Sequence, residues 1–228
     1  MGKRQDARER IESQIIELGR RHLVTEGAAG LSLRAIARDL GMVSSAVYRY
    51  VASRDELLTL LLIDAYSELA DAVDEACDTD AVEQSWRDRL SAIAQAARGW
   101  AVTHPAGWAL LYGSPVPGYR APAERTVGPG TRVVGALFDA VAGGIAAGEV
   151  SKAEAAVPQR LSSDFDRVRK EFAFSGDDSA VAKCFLLWAG LIGAISLEVF
   201  GQYGADTLTD PADAFDVQVK LLIEMLAR

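Results

Sequence analysis

Residues 31–57 read LSLRAIARDLGMVSSAVYRYVASRDEL, and their pattern decides the fold. Ser32 can cap a helix in which Leu33, Ile36, Ala37 and Leu40 recur at i, i+3, i+4 and i+7, a single apolar stripe. Gly41 ends it. Ser44 is the expected cap of a very short third helix over residues 45–50, with Val43, Val47 and Val51 inward and Ser44, Ser45, Tyr48 and Arg49 outward. Residues 53–56 spell S-x-x-E, a capping box directly before Leu57, Leu58, Leu61 and Leu62. A long fourth helix is expected from there to about Ala76. Helix, glycine turn and short second helix form the helix-turn-helix pattern, whose second helix fits the major groove of B-DNA, about 12 Å wide.

The outward residues suit that groove. Ser44 and Ser45 can bond phosphates or base edges, the Tyr48 hydroxyl can reach a phosphate, and Arg49 can bond guanine or phosphate. Ser32 stands at a helix N-terminus, where backbone N–H groups favour an anion. Arg34 belongs to the same set. Arg54 falls in the first turn of the fourth helix, where a cation serves the helix poorly unless an anion docks beside it. Tyr50 either joins these DNA contacts or packs at the edge of the core.

The whole chain carries a formal net charge of -8, which argues against a generic nucleic-acid coat protein. The charge is unevenly spread. Residues 1–56 hold ten Lys/Arg against eight Asp/Glu, whereas the remainder holds fourteen against twenty-four. A mildly basic head can thus approach a polyanion while an acidic body stays off it. With 50% hydrophobic residues, a sizeable core is available. Cys77 and Cys184 are too far apart for a C-x-x-C site, and a reducing cytoplasm suits them. The N-terminal MGKRQDARERIE has no apolar run, so it reads as no signal peptide. The longest uncharged apolar run, residues 184–197, is short of the roughly 20 residues of a membrane span, and no membrane partner is expected.

Outside the opening stretch the pattern is helical throughout. Residues 1–10 read as a flexible arm. A first helix carries Ile11, Ile15, Leu18 and His22 on one stripe and stops at Gly27 and Gly30. After a turn around residues 78–80, a helix over about 82–103 places Leu90, Ile93, Ala97 and Trp100 inward, and His104-Pro105 breaks it. A short helix over 106–112 follows. Residues 113–130 hold four of the seven prolines and four glycines and read as a long loop. Further helices are expected over about 131–148, 164–174, 180–203 and 212–227. No strand and no internal repeat is expected.

Residues 9–62 resemble the N-terminal DNA-binding domain of TetR-type (tetracycline-repressor-like) transcriptional regulators. The resemblance rests on Ile15, the Glu26-Gly27 helix end, Ser32 opening the second helix, Ile36-Ala37, Leu40-Gly41 and the Tyr48-Arg49-Tyr50-Val51 run. Val51 departs from the pattern, which usually has Phe there. That is a change of core volume. The resemblance implies an all-α, two-fold dimer with a helix-turn-helix DNA-binding domain over 1–56 and a ligand-binding and dimerisation domain over 57–228. It also implies a palindromic operator on double-stranded DNA and a bacterial cytoplasmic regulator, usually a repressor released by a small ligand.

The body supplies its own signals. Residues 96–113, AARGWAVTHPAGWALLYG, and the run LEVFGQY at 197–203 resemble a subtype whose aromatic-rich helix leads into His-Pro. Trp100, His104, Trp108, Tyr112, Phe138, Phe172 and Trp188 could line a cavity for an apolar or aromatic effector, or pack as plain core. Phe185, Leu186, Trp188, Ala189, Ile192, Ile195, Ser196 and Val199 cover nearly the whole circumference of the helix over 180–203. Gly190, Gly193 and Ala194 would allow close helix approach there. The last helix adds Phe215, Val219, Leu222, Ile223 and Leu226. A helix apolar all round must be covered on all sides, so these two helices call for a C2 partner copy. No catalytic dyad, phosphate loop, metal-ligand spacing or cofactor motif stands out, so no enzymatic activity is expected. A DNA-binding dimer without an effector is the nearest alternative, and a helical-bundle enzyme or carrier a more distant one.

Overall fold

The computed structural model describes residues 3–78, 84–151 and 157–227. Among these residues every regular element is a helix: α1 (Lys3–Gly30), α2 (Leu33–Asp39), α3 (Ser44–Val47), α4 (Arg54–Cys77), α5 (Trp86–Thr103), α6 (Pro105–Tyr112), α7 (Ala123–Ala146), α8 (Gln159–Glu171), α9 (Asp178–Val199) and α10 (Pro211–Ala227). The chain forms two compact units, Met1–Glu68 with His104–Gly130, and Leu69–Thr103 with Thr131–Arg228. These packing units divide the chain differently from the functional division expected at 56/57, because α6 belongs with the head.

The head core explains that grouping. Ile15, Leu18, Leu33, Ile36, Val47, Val51, Leu57 and Leu61 are buried together, and Ala106 and Leu110 of α6 pack against them, as does Tyr119. Each fully buried aliphatic side chain stabilises by about 1.5–3 kcal/mol. Arg20 on α1 hydrogen-bonds Asp64 on α4 at 2.6 Å and pairs with Glu68, tying the two helices at their polar edge. Thr59, 3% exposed, donates to the Asp55 carbonyl and shares a 2.9 Å hydrogen bond with the Tyr119 hydroxyl.

Three expectations for the head need correction. The N-terminal arm is helical from Lys3, with Gln5 and Arg8 bonded to Glu9 and Glu12 one turn on. The loop expected over 113–130 is shorter, because α7 already begins at Ala123 and contains Pro129. Local contacts override the Gly/Pro signal. The Pro122 carbonyl accepts from Arg125 N, Thr126 N and Thr126 Oγ1. Arg125 forks onto the Glu56 carboxylate at 2.8 and 3.0 Å. Gly130 lies so close to Tyr66 that a Cβ would meet the ring at 3.2 Å. Third, Val43 is not inward. It precedes the first turn of α3 as N-cap with φ -68 and ψ 140, and its side chain is 72% exposed.

In the second unit α9 packs against α5, α8 and α10. Asp177 caps it, its carboxylate accepting from the Ala180 N–H at 2.9 Å. At 22 residues α9 has the length and composition of a membrane span, which corrects the shorter estimate from sequence. It is held by protein contacts all the same. Lys183, 9% exposed, donates to the Ser151 carbonyl and hydroxyl and to the Leu226 carbonyl. Arg98 of α5 binds Glu198 of α9 through two bonds. The helix expected over about 82–103 begins only at Trp86, with Gln84 and Ser85 outside it; residues 82 and 83, like the expected turn over 78–80 beyond Asp78, lie outside the described residues. The remaining helices start or stop within a few residues of expectation, except α8, which starts earlier, at Gln159.

Candidate nucleic-acid interface

The turn between α2 and α3 is closed by backbone hydrogen bonds. Gly41 N–H donates to the Arg38 carbonyl at 3.0 Å, and Met42 N–H to the Ala37 carbonyl at 2.9 Å. That is the Schellman pairing, with Gly41 in the left-handed region at φ 65. The Ala46 N–H then donates to the Val43 carbonyl at 2.8 Å and opens α3. Beneath α3, Ala46, Val47 and Val51 are buried at 8%, 0% and 0% exposure. Burial of that face fixes which side chains the opposite face presents.

Ser44, Ser45, Tyr48 and Arg49 are all exposed on that opposite face, Tyr48 by 46%. Arg34 is exposed on α2, and Ser32 is partly exposed before it. Ser32 occupies the N-cap position of α2, yet its side chain makes no cap bond. Ser44 is the first residue of α3 and the cap is Val43, a correction to the expected capping. Tyr50 is half-buried against the head core, with the Arg8 guanidinium 5.9 Å from its ring centroid. Ser53 does cap α4, its hydroxyl accepting from the Glu56 N–H at 3.0 Å.

Arg54 differs most from expectation. Its Nε donates to the Leu31 carbonyl at 3.2 Å, and its Nη2 to the Ala28 and Ala29 carbonyls at 2.9 and 3.0 Å. A cation at the N-terminus of α4 is therefore also a cation at the C-terminal end of α1, where unpaired carbonyls favour it. Sequence reasoning also missed His22, expected on an apolar stripe. Its Nε2 sits 2.7 Å from Asp39 Oδ2, and this hydrogen bond holds the Asp39 carboxyl below its ordinary range. The i, i+3, i+4 pattern sees only one helix at a time, so a bond between two helices leaves no signal in it.

The expected ligand residues separate into two groups. In the first unit Trp108 is 0% exposed and its ring centroid lies 4.5 Å from that of half-buried Tyr112, with His104 exposed at the start of α6. Burial, then the nearby Tyr66, pushes the Tyr112 hydroxyl well above the ordinary phenol range, so it stays a hydrogen-bond donor. In the second unit Phe138 stacks on Phe172 at 4.8 Å and meets Phe174 edge-on at 4.9 Å. Trp100 is buried there, and Trp188 is half-buried.

Residues 15–61 match the family described as bacterial regulatory proteins, tetR family, and residues 90–222 match the tetracyclin repressor-like C-terminal domain. The HTH-type transcriptional regulator Mb1846 of Mycobacterium bovis is 69% identical over 227 residues, covering 100% of this chain and 97% of that protein. The HTH-type transcriptional regulator Rv1816 of Mycobacterium tuberculosis is equally similar. Among solved structures, regulatory protein SCO4313 is 30% identical with a TM-score of 0.77, covering 98% of this chain and 100% of that one. Bacillus subtilis FadR, solved with stearoyl-CoA, shares the fold at 10% identity and a TM-score of 0.67, covering 93% of this chain and 98% of that one. The chain belongs to the tetR family of bacterial regulatory proteins, the helix-turn-helix transcriptional regulators that its α2–α3 geometry anticipates.

Proposed function

We propose that the chain is a cytoplasmic repressor that sits on a palindromic operator as a C2 homodimer and leaves it when a small apolar or aromatic ligand binds. The observation that carries the DNA reading is the two-faced α3, with Ala46, Val47 and Val51 buried and Ser44, Ser45, Tyr48 and Arg49 exposed. Arg49 would read a guanine edge. Ser32, Ser44, Ser45, Tyr48 and Arg34 would grip phosphate and fix the register. Exposed Val43 adds an apolar contact suited to a thymine methyl group. Two such heads in successive major grooves stand about 34–36 Å apart.

The dimer reading draws on α9 and α10, where Leu186, Val217 and Leu221 are 55%, 56% and 60% exposed. Between them runs a cleft of about 470 Å³ lined by Ala189, Gly193, Leu197, Leu221 and their neighbours, nearly all apolar. A second copy of the same face would cover it. For the effector, the expected ligand residues that keep some exposed surface are His104 and Tyr112 in the first unit and, separately, Phe172 and Trp188 in the second; FadR, which shares the fold, was solved with stearoyl-CoA. The burial of Trp100, Trp108 and Phe138 favours a second reading, in which the body only dimerises.

Selection of bound duplexes from random-sequence DNA tests the reading. It should return one inverted repeat, and a compound screen for release from that repeat should return an apolar ligand. Recovery of no shared sequence would defeat the DNA assignment. Release by no compound would favour the dimer without effector.

A further inference from the structure

We infer that Arg54 is a positioning residue of the DNA reader and makes no phosphate contact of its own. The inference rests on the DNA-binding reading above. Arg54 opens α4, and its guanidinium reaches back to the last turn of α1 and the residue after it. The three carbonyls it binds, of Ala28, Ala29 and Leu31, lie just beyond the break at Gly27, where φ is 67 and ψ is 172. Past such a break the helical ladder no longer fixes the chain, and unpaired carbonyls need an outside donor. Leu31 is 3% exposed, and Ser32, the next residue, is the N-cap of α2. One side chain thus fixes the end of α1, the entry to α2 and the start of α4 against one another.

The remaining nitrogen, Nη1, lies 3.8 Å from the Asp55 carboxylate. That charge disfavours a phosphate at the only edge of the guanidinium still open. Planarity matters as well. A guanidinium spreads several donors in a fixed fork, whereas a lysine ammonium is a point charge on a flexible stem. Charge alone would therefore not replace Arg54, and Arg54→Lys separates the two roles.

The test compares wild type, Arg54→Lys and Arg54→Gln on a duplex selected from random-sequence DNA by the wild-type protein, and on a scrambled duplex of equal length. Titrations run across a salt series, at a temperature where melting curves show each protein folded. The positioning role predicts that both variants lose about tenfold in affinity for the selected duplex and keep wild-type affinity for the scrambled one. Their salt slopes stay unchanged, because no phosphate contact has been removed. A phosphate contact would instead leave Arg54→Lys near wild type and lower the Arg54→Gln slope by about 0.9, with both duplexes weakened alike. That outcome overturns the inference. So does wild-type specificity in both folded variants, which would make Arg54 a stability residue alone. If Arg54→Gln does not fold, Arg54→Lys still decides. Failure of the wild type to select any sequence would sink the underlying DNA reading instead.

Discussion

Arg98 Nε and Nη2 donate to the two carboxylate oxygens of Glu198 at 2.7 and 2.5 Å, and the side chains keep only 18% and 14% of their exposure. The guanidinium also lies 5.7 Å from the Phe215 ring centroid, so a single cation meets α5, α9 and α10. Removal of Arg98 leaves the Glu198 carboxylate largely buried without this partner, and removal of Glu198 leaves Arg98 only the weaker pull of Asp210 and Asp216. Arg98→Met or Glu198→Gln should each cost about 3 kcal/mol of unfolding free energy, read from urea denaturation. The double apolar variant Arg98→Met/Glu198→Leu should recover much of that loss, and a double variant weaker than either single would refute the account.

Alanine at Tyr48 or Arg49 should abolish the gel shift on the selected duplex while the oligomer and its melting temperature stay unchanged. Both side chains are exposed and neither holds the core. For Arg49→Ala the lost guanine contact supplies about 1–3 kcal/mol of that loss. An unaltered shift for both proteins would remove α3 from the interface.

Gly190 and Gly193 sit on one helix but face different surroundings. A Cβ at Gly190 would meet Leu222 Cδ2 at 2.8 Å, whereas nothing lies within 4 Å of one at Gly193. Gly190→Val should therefore destabilise the folded chain by about 1–3 kcal/mol through overpacking against α10. Gly193→Lys should keep its helical circular dichroism and sediment as a monomer. A dimeric Gly193→Lys protein would place the partner face elsewhere.

Burial holds the Lys183 ammonium below the ordinary lysine value of 10.5. The folded state thus disfavours the charged form, and the unfolded state binds more protons between the folded value and 10.5. Stability attributable to Lys183 must rise with pH through that window. Relative to Lys183→Met, the wild-type urea midpoint should climb there. Burial also raises Tyr112, and it raises Cys184 to about 12, which acts in the opposite sense; both groups are common to the two proteins and cancel in the comparison. A falling difference would refute the assignment.

The helix-turn-helix was legible because its information is local: an apolar stripe, a glycine and a buried Val47–Val51 pair one turn apart. What the sequence hid was mostly tertiary. Nothing near Pro105 announces that Ala106 and Leu110 pack into the head core. Nothing near Pro129 announces that Arg125 and Gly130 have partners at Glu56 and Tyr66 that keep α7 helical. Helical periodicity puts Val43 on the inward stripe with Val47 and Val51, but Val43 stands one residue before α3 on extended backbone that turns its side chain outward. The position of Arg54 in the first turn of α4 marks it as a cation in need of an electron-rich partner, but nothing in the local pattern says that this partner is the carbonyl end of the chain's own first helix.

Gly41 turns the chain from α2 into α3 at φ 65, with nothing within 4 Å of where a Cβ would stand. The constraint there is handedness and leaves room for a side chain of the right chirality. An L-alanine should cost about 1 kcal/mol by backbone strain alone. A D-alanine, introduced by chemical ligation, matches the left-handed well and should stabilise the head by about 0.4–1 kcal/mol, because it removes freedom from the unfolded chain. The DNA reader of this protein therefore turns on a mirror-image backbone that, of the encoded residues, glycine adopts with the least strain.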